Sequence, residues 1–454
     1  MSVTELLNKA KVSFKKNLIQ ESKNYLNKVF LLEKDNVEAL NLMGIISGVE
    51  NNLIDVRIFF NKAIKISPNN HILCFNFARI LSDNNFDFEA INYYSKAVKI
   101  FPNFKEAYNN YGNSLSKLGN FSEAINFFDK AIDIDSKYFD AIYNKSLCQL
   151  KLGDFKNGLN NYEARWKRKN APQYRHAQIP RLVNLKQLKK KSLIIFSEQG
   201  LGDCIQFSRY IFKILDLDFK SIVFEVDKKL KNLISFQFNR PNLNIIEFGE
   251  IINQIDFQVP LLSLPFLFKT RLESIPLVDK YFSISKKKID LKKKIKLNNN
   301  KINIAIACSA KQKFSFRHKK DVRLNFFLPL LEYSNLFLIQ DSIEEEDNFC
   351  LLKNPEIKFI GKEINDFEDM GAVIENMDLV ITVDTVFAHL AGALGKKTFL
   401  LLGDYVDWRW LLNINNSIWY NSLTLFRKKE QGQWEDIFKE IIKILPSVKK
   451  NILV

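Results

Sequence analysis

A period of 34 residues constrains the first 170 residues more than any other feature of the chain. Ala63, Ala97 and Ala131 are spaced by that period, as are Pro68 and Pro102, with Ser136 in the next equivalent place. Phe60, Tyr94, Phe128 and Tyr162 share one register, and Gly44, Ala78 and Gly112 another. Small residues at fixed intervals mark where helices touch, and aromatic ones fill the space between neighbours. Successive units are expected near 3–36, 37–70, 71–104, 105–138 and 139–170. In the clearest, Tyr108, Tyr111, Gly112 and Leu115 mark one helix, and Ala124, Phe128 and Ala131 a second.

This pattern resembles the tetratricopeptide repeat. The resemblance implies an all-α solenoid over residues 1–170, about five repeats long, whose concave face binds a peptide or protein segment. The first unit is degenerate, as a cap is, and the fifth carries Gly158 in the usual Ala place. The alternative is an array that packs on the next domain or drives self-association. Residues 171–191 break the period with two Pro and a basic cluster, and read as a linker.

From Ser192 onward the pattern changes to short apolar runs separated by helical stretches, which predicts parallel sheets. Strands are expected at 193–196, 222–226, 243–248 and 257–259, and again at 302–307, 336–340, 357–360, 379–383 and 398–402, with a closing helix near 434–445. This divides the second half into α/β pieces at 192–300 and 301–454. The hydrophilic stretch 285–301 between them reads as a solvated linker or helix.

The junction 379–395, LVITVDTVFAHLAGALG, reads as a buried strand that stops and a helix that starts. Asp384 and Thr385 supply N-cap chemistry, and Gly395 is a natural stop. Such a junction directs free N–H groups and the positive helix end toward the carboxyl edge of the sheet, where open α/β sheets bind phosphorylated ligands. His389 stands one turn after Thr385 and is expected on the same ligand face. The bland alternative is an ordinary capped turn.

A net charge of +16 attracts anions, but the Lys-rich 286–301 stretch lacks interleaved aromatic residues, which argues against nucleic acid. No run approaches about 18 apolar residues, so no transmembrane segment is expected. Five scattered Cys without paired spacing read as reduced thiols of a cytoplasmic protein, and four distant His offer no metal pattern.

After the first strand comes Glu198-Gln199-Gly200-Leu201-Gly202-Asp203; the two Gly allow close backbone approach, and Asp203 stands at a helix entry, as cap or as general base. Taken with VDTVFAHLAGALGK (383–396), DWRWL (407–411) and the Trp419-Tyr420 pair, residues 192–440 resemble the bacterial proteins that join tetratricopeptide repeats to a heptosyltransferase-like domain of glycosyltransferase family 9. The resemblance implies a GT-B fold of two Rossmann-like halves, acceptor side first and donor side second. It implies inverting, metal-independent transfer of a sugar from a nucleotide-diphosphate sugar, which is a co-substrate, with no cofactor. By the resemblance Asp203 is the base, Asp384, Thr385, His389, Gly392 and Arg323 serve the donor, and Glu198, Gln199, Gly200 and Gly202 form the acceptor loop. Lys311 and Arg409 are further candidates for the phosphates. The family's Trp-Gly loop is replaced here by Cys308-Ser309, and Asp321 and Arg323 match only roughly. A non-catalytic interaction scaffold with a degenerate GT-B body is therefore the competing reading. The sugar, the acceptor and any homo-oligomer are left open.

Overall fold

The computed structural model describes residues 1–252, 254–276, 278–285, 301–309, 321–404, 406–429 and 432–452. By compactness the chain forms two units, Met1–Gln149 with Asn160–Pro172, and Leu150–Leu159 with Gln173–Val454.

Residues 1–170 form ten α-helices in pairs: α1 (Val3–Lys15) and α2 (Ile19–Leu32), α3 (Val37–Val49) and α4 (Leu53–Ile66), α5 (His71–Asp83) and α6 (Asp87–Ile100), α7 (Lys105–Lys117) and α8 (Phe121–Ile134), α9 (Phe139–Lys151) and α10 (Phe155–Tyr162). The turn inside each pair is made by one residue in the left-handed region, Asn17, Asn51, Asn85, Gly119 and Gly153. Only Gly, and Asn among side chains, adopts that conformation at low cost, so the period is written in the turns as well as in the packing. Inside the pairs, helices approach until a methyl group would not fit. A Cβ on Gly44 would stand 2.6 Å from the Phe60 ring, and one on Gly112 would stand 2.7 Å from Phe128. Phe60, Ala63, Ala97, Phe128 and Ala131 are fully buried.

The second unit carries two sheets. The first is built from β1 (Ser192–Phe196), β2 (Ser221–Val226), β3 (Leu243–Glu247) and β4 (Phe257–Pro260), with helices α11 (Leu201–Phe207), α12 (Arg209–Leu215), α13 (Lys228–Gln237) and α14 (Leu264–Leu267). The second is built from β5 (Ile302–Ala307), β6 (Ser334–Leu338), β7 (Lys358–Phe359), β8 (Leu379–Val383), β9 (Thr398–Leu402) and β10 (Leu423–Arg427). Its described helices are α15 (Glu345–Lys353), α16 (Phe367–Asn376), α17 (Val386–Ala393) and α18 (Trp434–Ile452).

All strand pairs are parallel, in the orders β3-β2-β1-β4 and β10-β9-β8-β5-β6-β7. The second order, read from its far edge, is that of a doubly wound sheet, with the chain reversing direction between β5 and β8. Every residue of β1, β5, β8 and β9 is buried, as expected of strands covered on both faces. One face of the second sheet packs Ile304, Ile306, Leu338 and Ile381 against Phe438, Ile441 and Leu445 of α18. Each such side chain contributes roughly 1.5–3 kcal/mol by leaving water. Strand β10 is absent from the sequence-based expectation, because it is a five-residue edge strand with only Leu423, Leu425 and Phe426 buried. Phe155 also lies in this unit, with its ring centroid 5.9 Å from those of Trp408 and Trp419.

Candidate functional site

A cavity of about 470 Å³ opens at the carboxyl edges of the strands. Gly200–Asp203 follow β1, Lys229 follows β2, Ser309 follows β5, Gln340–Ser342 follow β6, and Asp384–Phe387 follow β8, while Asp407 and Arg409 follow β9. The cavity therefore includes the ends of β5 and β8, the point where chain direction reverses in the second sheet and where open α/β sheets bind ligands.

Asp203 lies in the first turn of α11. Its Oδ2 accepts from the Gly200 N–H at 2.8 Å, which caps the helix, and its Oδ1 is ion-paired with Arg409 Nη2. Arg409 reaches it from the 3₁₀ turn Trp408–Trp410, and also donates to Asp407 Oδ1 at 2.8 Å and Gln206 Oε1 at 2.9 Å. Burial pushes the Asp203 carboxyl above the ordinary aspartate value, with the Arg409 charge and the Gly200 N–H pulling the other way. The structure thus brings the expected base and the Arg409 candidate into direct contact.

His389 of α17 is buried, with Nδ1 3.0 Å from the Tyr420 hydroxyl and its ring stacked on Trp410 at 5.4 Å between centroids. Gly202 is required opposite it, since a Cβ there would lie 2.6 Å from His389 Cδ2. Burial drives the imidazole pKa down to about 3, with Asp384 opposing and Arg409 adding to the shift. A histidine whose folded pKa lies below its unfolded value near 6.5 gives stability that is present above pH 6.5 and is lost as pH falls toward 3. Between pH 6.5 and 5 the loss should be roughly 2 kcal/mol. Urea unfolding at pH 7 and pH 5 should show it, and the His389→Gln protein should lack it. Proton uptake by Asp203 acts in the opposite sense, which is why the variant is compared at both pH values.

Asp384 and Thr385 line the cavity, and Thr385 stands at the expected N-cap position without the expected side-chain bond. The N-cap residue is Thr385 and its side chain makes no capping bond; its hydroxyl instead lies 3.1 Å from that of Thr382. The hydroxyl at the buried strand end competes for it, and Thr385, Val386 and Phe387 at the start of α17 face the cavity.

Three other expected site residues are not among the described residues that line the cavity. Arg323 does not line the cavity, and forms a surface ion pair with Glu346 at 2.8 Å. Gly392 is a packing residue: a Cβ there would stand 2.4 Å from the Tyr420 ring. Glu198 braces the loop after β1 from within, its Oε1 accepting from the Leu262 N–H at 3.0 Å. Gln199, at φ +61°, lines a smaller cavity of about 240 Å³ that shares Gly200, Leu201 and Lys229 with the larger one. Lys311 lies outside the described residues.

Sequence reading missed Lys229, Gln340–Ser342, Gly361 and 364–367 as lining residues. Gln340 holds the loop after β5: its Oε1 accepts from the N–H groups of Cys308 (2.7 Å) and Ser309 (3.2 Å), and Nε2 donates to Ser309 Oγ at 2.9 Å. A Cβ at Gly361 would fall 2.0 Å from the Gln340 carbonyl oxygen, so that position admits only glycine. The signal available was position, since each of these residues follows a strand end. Among the described lining residues Asp203, Asp341, Asp366, Asp384 and Asp407 outnumber Lys229 and Arg409. Among the described residues no group of three or more His, Cys, Asp or Glu is placed to hold a metal ion. No described helix is long and apolar enough to cross a membrane.

Residues 105–138 match the family model of the tetratricopeptide repeat. The match falls on α7 and α8, one helical pair of a TPR-like array. Among solved structures, YrrB, described as a TPR protein with an unusual peptide-binding site, is 20% identical over 37% of this chain and 86% of its own, with a TM-score of 0.32. PilF of Pseudomonas aeruginosa is 12% identical over 47% of this chain and 86% of its own, at 0.37. MamA of Desulfovibrio magneticus RS-1 is 19% identical over 36% and 91%, at 0.33. No curated protein matches the chain.

Proposed function

We propose that the second unit is a glycosyltransferase of the GT-B, family 9 kind, acting on a nucleotide-diphosphate sugar, and that the repeat array holds a protein or peptide partner. The observation that carries this reading is the convergence of Asp203, Arg409, His389 and the start of α17 in one cavity at the strand ends. In the reaction, Asp203 Oδ takes the proton of an acceptor hydroxyl as its oxygen attacks the anomeric carbon. The bond from that carbon to the diphosphate oxygen breaks, its electron pair leaves with the nucleoside diphosphate, and the configuration inverts. Lys229, the N–H groups at the start of α17 and the imidazole of His389 stabilise the leaving charge, which grows only in the transition state. The acceptor is a glycan or protein hydroxyl, and the setting is cytoplasmic.

The test is a thermal-shift screen of the full chain against nucleotides and nucleotide sugars, with and without divalent metal. A ligand at about 100 times its dissociation constant adds ~2.7 kcal/mol to stability, an easily read shift. A metal-independent shift with one nucleotide family, lost in Asp384→Ala, is the expected result. Silence across the panel would favour an interaction scaffold with an inactive body. The excess of carboxylates over cations among the described lining residues is the observation on that side.

A further inference from the structure

One buried cation of the second unit has no place in the reaction just described. Arg209, the first residue of α12, is fully buried, and arginine stays charged in proteins. A buried charge normally faces a carboxylate, yet the hydrogen-bond partners of Arg209 are all neutral. Its Nε donates to the Gln206 carbonyl at 2.8 Å, Nη1 to the carbonyls of Trp419 at 2.7 Å and Pro276 at 3.3 Å, and Nη2 to the Tyr281 hydroxyl at 3.3 Å. The guanidinium carbon lies 4.7 Å from the ring centroids of both Tyr281 and Tyr420. The Tyr420 hydroxyl is in turn 3.0 Å from His389 Nδ1. With Nδ1 engaged, the other ring nitrogen, Nε2, makes no hydrogen bond among the described residues, and the ring lines the cavity.

We propose that Arg209 is a positioning residue: through Tyr281 and Tyr420 it fixes the His389 imidazole with Nε2 toward the cavity, where that nitrogen meets the phosphate or sugar oxygens of the bound nucleotide. The identity of the ligand rests on the function proposed above; the placement of the ring does not. Only a planar fork of donors can hold carbonyls from three separate segments at once, so neither Lys nor a neutral side chain replaces it. The charged or titratable groups that face His389 are Asp384, Asp407, Arg409, Arg209 and Tyr420.

The experiment is ¹⁵N NMR of the full chain carrying labelled histidine, with His389→Gln identifying the resonances. In the unchanged protein His389 is expected to stay neutral and in one tautomer from pH 8 to pH 5. Arg209→Met and Tyr420→Phe are each expected to mix the tautomers and to weaken binding of UDP, ADP or GDP, whichever the unchanged protein binds, by about tenfold or more. Unchanged His389 resonances in Arg209→Met would overturn the proposal, whatever Tyr420→Phe does. Should Arg209→Met fail to fold, Arg209→Lys, which keeps the charge and loses the fork, decides by the same criterion. A parent protein that binds none of the three nucleotides removes the glycosyltransferase reading, and the resonances still decide the role of Arg209.

Discussion

Asp203→Asn is expected to reduce the proposed glycosyl transfer by roughly 10²–10⁴-fold, the usual contribution of a positioned general base, while leaving the fold in place. The two parts of that expectation come from different atoms. Asn keeps an oxygen that accepts the Gly200 N–H, so the cap on α11 survives. It removes the carboxylate that burial has made more basic than an ordinary aspartate. Arg409 loses one partner but retains Asp407 and Gln206, so no cation is left unpaired. Initial rates with the nucleotide sugar selected by the thermal-shift screen, measured beside the melting temperature, separate chemistry from stability. A variant that binds donor and turns over at the parent rate would remove Asp203 as the base. Rates that fall only because the protein melts earlier would make its role structural.

What could be read from the chain alone divides along physical lines. The repeat array was legible because each unit solves the same packing problem, so Gly112 against Phe128 repeats Gly44 against Phe60. The recurring left-handed turns at Asn17, Asn51, Asn85, Gly119 and Gly153 were a second signal of the same period. Buried strands such as Val380–Val383 announced themselves by β-branched content, whereas β10, a sheet edge with Thr424 and Arg427 only partly buried, did not. At the candidate site, residues next to a glycine-rich turn or a strand–helix junction were found: Asp203, Asp384, Thr385 and His389 all line the cavity. Arg323 was misplaced because a basic residue after a strand looks alike whether it faces a ligand or, as here, Glu346. The link from Arg409 to Asp203 spans 206 positions and comes from the meeting of two sheets, which no local pattern encodes.

Arg409→Ala is expected to destabilise the second unit by about 3 kcal/mol. The side chain is buried and pairs with two carboxylates, Asp203 and Asp407, whose own side chains are only 18% and 26% exposed. Removing it takes the balancing cation away from two partly desolvated carboxylates, and the cost lies mainly in that, rather than in the pairs themselves. Residual water access to both carboxylates keeps the figure at the low end of the range for fully buried pairs. Arg409 also lies over the ring of Trp408, with its guanidinium carbon 4.7 Å from the centroid, so some packing is lost as well. A double-mutant cycle with Asp203→Asn isolates the pair. Once Asp203 is neutral, Arg409→Ala uncovers one carboxylate instead of two, and the two losses should fall short of additivity by about 1–3 kcal/mol. Strict additivity in urea unfolding would mean that the pair contributes nothing, and that Arg409 is held by Asp407 and Gln206 alone.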